Sequence, residues 1–212
     1  MHRPPMRDYL QGLRASGGLR EPGLVSTAVL ALTAIAFFRV TLLPDFGREL
    51  AMSTFQLGMV TTTFAIGRLV ADLPGGHFAD RIRARTLLAL SAGGVALGSV
   101  ILGLSSVMLG AYVAAFILGL SSATTNATGM TFFSSVGGGS RRGTSMAIFS
   151  AALLGGQAVG PAVAGLISSL GGWRLTMLIA TAAASTTAIL LLLAPWNGPA
   201  VRVESPGQQP PL

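Results

Sequence analysis

The sequence predicts an all-α integral membrane protein, six transmembrane helices arranged as two three-helix repeats. Three observations carry that reading. Charged residues make up only 10% of the chain and hydrophobic residues 51%, whereas a soluble domain clothes its surface with about 25% charge. Six apolar runs follow one another, each near the roughly 20 residues that cross about 30 Å of hydrocarbon. The runs are unbroken, without the ten-residue alternating segments of a membrane β-barrel.

In chain order, residues 1–23 form a basic N-terminal tail, with Arg3, Arg7, Arg14 and Arg20 ahead of the first apolar run. Such a tail resembles a secretory signal, but five further spans make an uncleaved first helix the expectation. The membrane domain covers 24–195. Its spans are 24–43, "LVSTAVLALTAIAFFRVTLL", then 54–74, 86–104, 108–133, 144–168 and 173–195. The last segment, 196–212, reads "WNGPAVRVESPGQQPPL"; it is rich in Pro and is expected to be a disordered tail.

All fourteen basic residues are Arg. With the N-terminus inside, the inner segments hold Arg3, Arg7, Arg14, Arg20, Arg81, Arg83, Arg85, Arg141, Arg142 and Arg202, and the outer loops only Arg48 and Arg174. That asymmetry puts both termini in the cytoplasm, and the cell membrane is the expected location. It also accounts for the net charge of +7 without nucleic acid as a partner.

Several chemistries drop out. Without Cys there is no disulfide framework, thiolate metal site or Cys nucleophile. The two His, His2 and His77, fall outside the spans, so neither a metal site nor an intramembrane enzyme is expected, and no cofactor is implied. "GGGSRRG" (137–143) lacks the Lys and spacing of a phosphate-binding loop and reads as an inner connector.

Polar groups are unevenly shared among the spans. Arg39 lies in the first, Arg68 and Asp72 in the second, Asn126 in the fourth and Gln157 in the fifth, while the third and sixth carry nothing more polar than Ser or Thr. Ionisable groups in a bilayer face a bundle interior or a water cavity. Spans three and six are therefore expected to face lipid, and one, two, four and five to surround a polar centre. Arg68 and Asp72, four apart, share a helix face and are placed to pair, as a structural or a gating pair. Arg39, near the end of span one, either snorkels to the outer headgroups or faces the cavity and attracts an anionic group. Asn126 and Gln157 either touch a solute or join helices.

Two stretches stand out. In "GGHFADRIRART" (75–86), one Asp and three Arg crowd between two apolar runs. The Gly pair permits a sharp turn, and Asp80 is suited to accept from the free N–H groups of a helix start. In "LLGGQAVGPAVAG" (153–165), Ala152, Gly156, Gly160 and Ala164 recur every four residues and make one smooth face, which allows close helix crossing. Pro161 is expected to kink this helix.

Both stretches resemble signatures of the major facilitator superfamily. "GGHFADRIRART" is similar to its loop Gly-x-Leu-Ala-Asp-Arg-x-Gly-Arg-Arg/Lys between spans two and three. Gly76, Ala79, Asp80, Arg81 and Arg85 match; Arg83 stands at the second Gly and Ala84 at a basic position. "LLPDFGREL" resembles the Pro-acidic loop after span one, and "LPGG" the end of span two. In that family the loop is a cytoplasmic latch, and the resemblance gives Gly76, Asp80, Arg81 and Arg85 that role. Gly156, Gly160 and Pro161 match the antiporter signature of drug:proton exporters, with Gly165 one place late. The span-four Arg of many exporters is replaced by Ala115, four residues before Gly119.

The resemblance covers 24–195 and implies the N-terminal six-helix half of a transporter. Such a half moves a small solute by alternating access, most simply as proton-coupled export of drug-like or small organic compounds. Family members usually carry twelve spans, so a second six-helix half, in a separate chain or a second copy, is the expected partner if the chain is not a truncated product. The alternative is a non-transporting scaffold or an inactive half.

Overall fold

The computed structural model describes residues 20–136 and 142–194, with side chains described except at 20, 74–81 and 136. The described backbone forms five helical runs: α1 (Arg20–Glu49), α2 (Thr54–Arg81), α3 (Ala84–Leu104), α4 (Met108–Val136) and α5 (Arg142–Leu193). At 1.5 Å per residue the 52-residue α5 would reach about 78 Å, more than twice the hydrocarbon thickness. It is two helices meeting at Gly172, whose φ of 78° and ψ of 173° leave the helical region for one that glycine enters freely. The expected break between spans five and six is this single residue. Pro161 does not interrupt α5; its dihedrals stay helical there.

Helix ends follow from the local sequence. Chain reversal after α1 uses Ala51 at φ 49°. α2 then opens on a capping box, in which Ser53 Oγ accepts from Gln56 N at 3.3 Å while Gln56 Oε1 accepts from Ser53 N at 2.8 Å. Two stretches expected as loops are helical instead. Pro44 and Asp45 lie inside α1, and residues 74–81 continue α2 to Arg81, leaving only Ile82 and Arg83 before α3. Helices run past the apolar stretch because backbone hydrogen bonds continue into water, whereas hydropathy marks only the hydrocarbon.

By length and composition, four described segments are apolar enough to cross a membrane: Glu21–Glu49, Ala84–Leu104, Met108–Ser135 and Arg142–Leu193. α2 is not among them. Thr61, Thr62, Thr63, Arg68 and Asp72 dilute it, so apolar character alone does not place it in the bilayer.

α1 packs chiefly on α5, α2 on α4, and α3 on both α4 and α5. One core cluster joins Phe46, Phe64, Val95, Leu118 and Met177; a second, around Val29, Leu88, Phe133 and Phe149, completes the bundle. Leu90, Leu97, Leu104, Leu190 and Leu192 point outward, as they would toward lipid. α3 is nevertheless better packed than a lipid-facing helix: 61% of its most apolar stretch is buried, against 28% for α5. Small residues explain the difference. Ser91 Oγ donates to the Ser121 carbonyl at 2.8 Å and also meets Thr125 Oγ1, so α3 and α4 lie close along a Ser/Ala/Gly face.

Candidate functional site

The connector between α2 and α3 was expected to be a turn around the Gly pair. Gly76, Asp80 and Arg81 lie in the last turns of α2, and their side chains fall outside the described residues. Asp80 is not the residue that starts α3, whose N-cap position is Arg83. Arg85 is described. Its Nε donates to the Leu191 carbonyl at 2.8 Å, one of the terminal carbonyls of α5 that the helix leaves unpaired. The neighbouring Leu190 carbonyl accepts from Ala194 N at 2.9 Å. Arg85 thus closes the end of α5 within the same bundle, where a cation also opposes the helix dipole.

The small-residue face of α5 lies against α1. Ala152, Gly156, Gly160 and Ala164 are all buried. A Cβ on Gly156 would stand 2.6 Å from the Leu30 carbonyl oxygen, and one on Gly160 2.5 Å from that of Ala34. Thr41 Oγ1 crosses the seam to the Pro161 carbonyl at 3.1 Å. Gly165 is off the face, its added Cβ meeting only Thr41 Cγ2 at 3.6 Å. A second crossing of the same kind, unmarked by any recognised motif, joins α2 to α4. A Cβ on Gly67 would strike the Phe116 carbonyl, and one on Gly119 the Phe64 carbonyl and Arg68 N. Reciprocal glycines on two paired helices were the available sequence signal.

That second crossing sets Phe64 and Arg68 beside α1. Arg39 is only 7% exposed, so it does not snorkel to the surface. Its guanidinium carbon sits 3.6 Å from the Phe64 ring centroid, and its Nε is buried without a hydrogen-bond partner. Arg68, one turn beyond Phe64, is half-buried and close enough for its charge to act on Arg39. A cavity of about 10 Å³ lies between α1, α2, α4 and Trp173, bordered by Arg39, Val60 and Ala115 among others.

The anticipated Arg68–Asp72 pair is not formed: Asp72 is exposed, and no ion pair joins the two. On α2 the acid lies on a face that no other described helix covers extensively, while Arg68 is half-buried. Asn126 and Gln157 are half-buried. Neither amide has a hydrogen-bond partner among the described residues, so neither joins helices here.

At the opposite end from Arg85, a network not expected from the sequence fixes the break in α5. Trp173 Nε1 donates to Glu49 Oε2 at 2.6 Å, and Arg174 donates twice to Glu49 Oε1, at 3.1 and 2.5 Å. Phe46 meets Trp173 edge-to-face at 5.2 Å. Arg48 pairs with Asp45 at 2.5 Å, so both Arg residues assigned to the outer loops are neutralised by neighbouring acids.

The fold and this distribution of polar groups define a class: a multi-pass helical membrane bundle with charge held between paired helices. Residues 24–211 match the Major Facilitator Superfamily. The chain belongs to that family of membrane transporters. Among solved structures it is similar to a bacterial homolog of the human lysosomal transporter Spinster, in an inward-facing and occupied conformation. The TM-score is 0.71 at 20% identity, over 93% of this chain and 46% of that one. At that identity the likeness is one of fold, and the chain spans about half the length of the matched transporter. No curated protein sequence matches the chain.

Proposed function

We propose that the chain is the N-terminal, six-span half of a carrier that moves a small solute by alternating access. The six spans are α1–α4 and the two arms of α5, in two three-helix units, with both termini cytoplasmic in the cell membrane. The observation that carries this reading is the fold match to just under half of a solved transporter, covering almost all of this chain. The packing supports it mechanically. Rocking transport needs each half to move as one body, and backbone-to-backbone crossings at Gly156 and Gly160 and at Gly67 and Gly119 leave little room for sliding.

The second half would cover the free face of α2, where Phe55, Ile66, Leu69 and Leu73 are exposed beside Asp72. Asp72 is the proton-coupling residue in this account: an exposed carboxylate on that face, unpaired by Arg68. Asn126 and Gln157, with unused donors and acceptors, are the solute contacts. Gly76, Asp80 and Arg81 form the latch, held at its base by the Arg85–Leu191 bond. Export of drug-like or small organic compounds in exchange for protons fits the Gly156–Gly160–Pro161 run.

Reconstituted vesicles test the reading. Proton-gradient-driven flux is expected with the second half present, and Asp80→Asn is expected to abolish it. A scaffold would show no flux in either arrangement and would tolerate Asp80→Asn.

A further inference from the structure

We propose that Arg39, in the field of Arg68, forms a binding site for a single small anion, a halide-sized ion, inside the helix bundle. The guanidinium of Arg39 has five N–H donors and no acceptor, yet it makes no hydrogen bond to any described residue and its Nε is sealed from solvent. The Phe64 ring beneath it at 3.6 Å attracts the charge through its π face but satisfies no N–H. Arg68, half-buried on α2, adds a second positive charge near enough to act on Arg39. A buried cation without a counter-ion is costly, and a second cation nearby adds to the cost.

No described acid relieves them. Asp45 is paired with Arg48 and Glu49 with Arg174. Glu21 lies at the far end of α1, and Asp72 is exposed with no ion pair to Arg68. Among the described residues, the charge balance at this point is left to something outside the chain.

The cavity beside Arg39 states what that something is. Its volume of about 10 Å³ has room for a single water molecule or monatomic ion and for nothing larger. Its other walls are apolar side chains such as Leu42, Val60, Ala115 and Met177. A buried water needs two to four polar partners and would find one. A halide needs positive charge and tolerates apolar walls, and here it finds charge from Arg39 directly and from Arg68 at longer range. A carboxylate or phosphate is too large for the space.

The proposal does not rest on transport, because its readout is binding. Melting of the full chain in detergent micelles is followed in sodium chloride and in sodium gluconate at equal ionic strength. The parent is expected to melt roughly 5–10 °C higher in saturating chloride than in gluconate. Arg39→Leu, which removes a buried unpaired charge and so is expected to fold, loses the difference. Arg68→Gln raises the half-saturating chloride concentration about tenfold, while Arg174→Gln, at the outer end, leaves it unchanged. If Arg39→Leu does not fold, the Arg68→Gln titration decides. Equal melting of the parent in both salts overturns the site, as does a chloride effect that survives in Arg39→Leu or is unmoved in Arg68→Gln. A third arm adds phosphatidylglycerol to nanodiscs: stabilisation by that lipid without any by chloride would assign Arg39 to a headgroup and also overturn the proposal.

Discussion

Gly160→Ala adds one methyl group and should destabilise the protein, although alanine is the better helix former. The added Cβ would lie 2.5 Å from the Ala34 carbonyl oxygen, 2.9 Å from Ala34 Cα and 3.0 Å from its carbonyl carbon. All three are backbone atoms, so no side chain can swing aside. To reach ordinary contact α1 and α5 must part by on the order of 1 Å, which loosens the seam and stretches the Thr41–Pro161 bond, already 3.1 Å. Overpacking of this kind costs about 1–3 kcal/mol. In a bilayer, close packing contributes more to helix association than apolar burial does.

The gain in helix propensity, about 0.5–1 kcal/mol, offsets part of that cost. Gly93→Ala isolates this gain, because a Cβ there meets nothing within 4 Å. The two variants should therefore move in opposite directions. For a chain of this size 1 kcal/mol corresponds to about 2–4 °C, so the overpacking cost that separates the two should set their melting temperatures in detergent roughly 2–12 °C apart. A Gly160→Ala protein that melts at or above the parent would refute the close-crossing reasoning.

Other substitutions test the remaining parts. Gly119→Ala should destabilise by a similar amount, since its Cβ would strike the Phe64 backbone; unchanged melting would mean that α2 and α4 are not seated as described. Arg85→Met should lower stability by about 1 kcal/mol by leaving the Leu191 carbonyl unpaired, and a melting curve identical to the parent's would show that water replaces the bond at no cost. Asp72→Asn should leave melting unchanged, because the exposed acid has no partner, yet remove the pH dependence of flux; retained pH dependence would shift proton coupling elsewhere.

The helices were legible in the sequence because a bilayer demands long apolar runs. The expected starts at 54 and 108 are those of α2 and α4, and the break before Trp173 falls at Gly172. The ends were less legible, since "PDFGRE" and "GGHFADR" continue their helices into polar surroundings. The Gly156–Gly160 face could be read because four-residue spacing survives projection onto a helix. Which helix it meets could not, nor could the match of Gly67 with Gly119, because spacing within a helix carries no record of its neighbour. The same limit hid Glu49, which engages Trp173 and Arg174 far away in the chain, while the four-residue spacing of Arg68 and Asp72 suggested a pair that the structure does not form.

The central claim, that this bundle is half of an alternating-access carrier, is tested most directly at Ala65. This residue is exposed on α2, seven positions before Asp72 and so on the same face, and the chain contains no native Cys. Ala65→Cys in the membrane, with the second half present, is labelled with a membrane-impermeant maleimide from each side separately. Labelling from both sides is the predicted result, since the cavity opens to each in turn. Labelling from one side only, or from neither, would contradict the account.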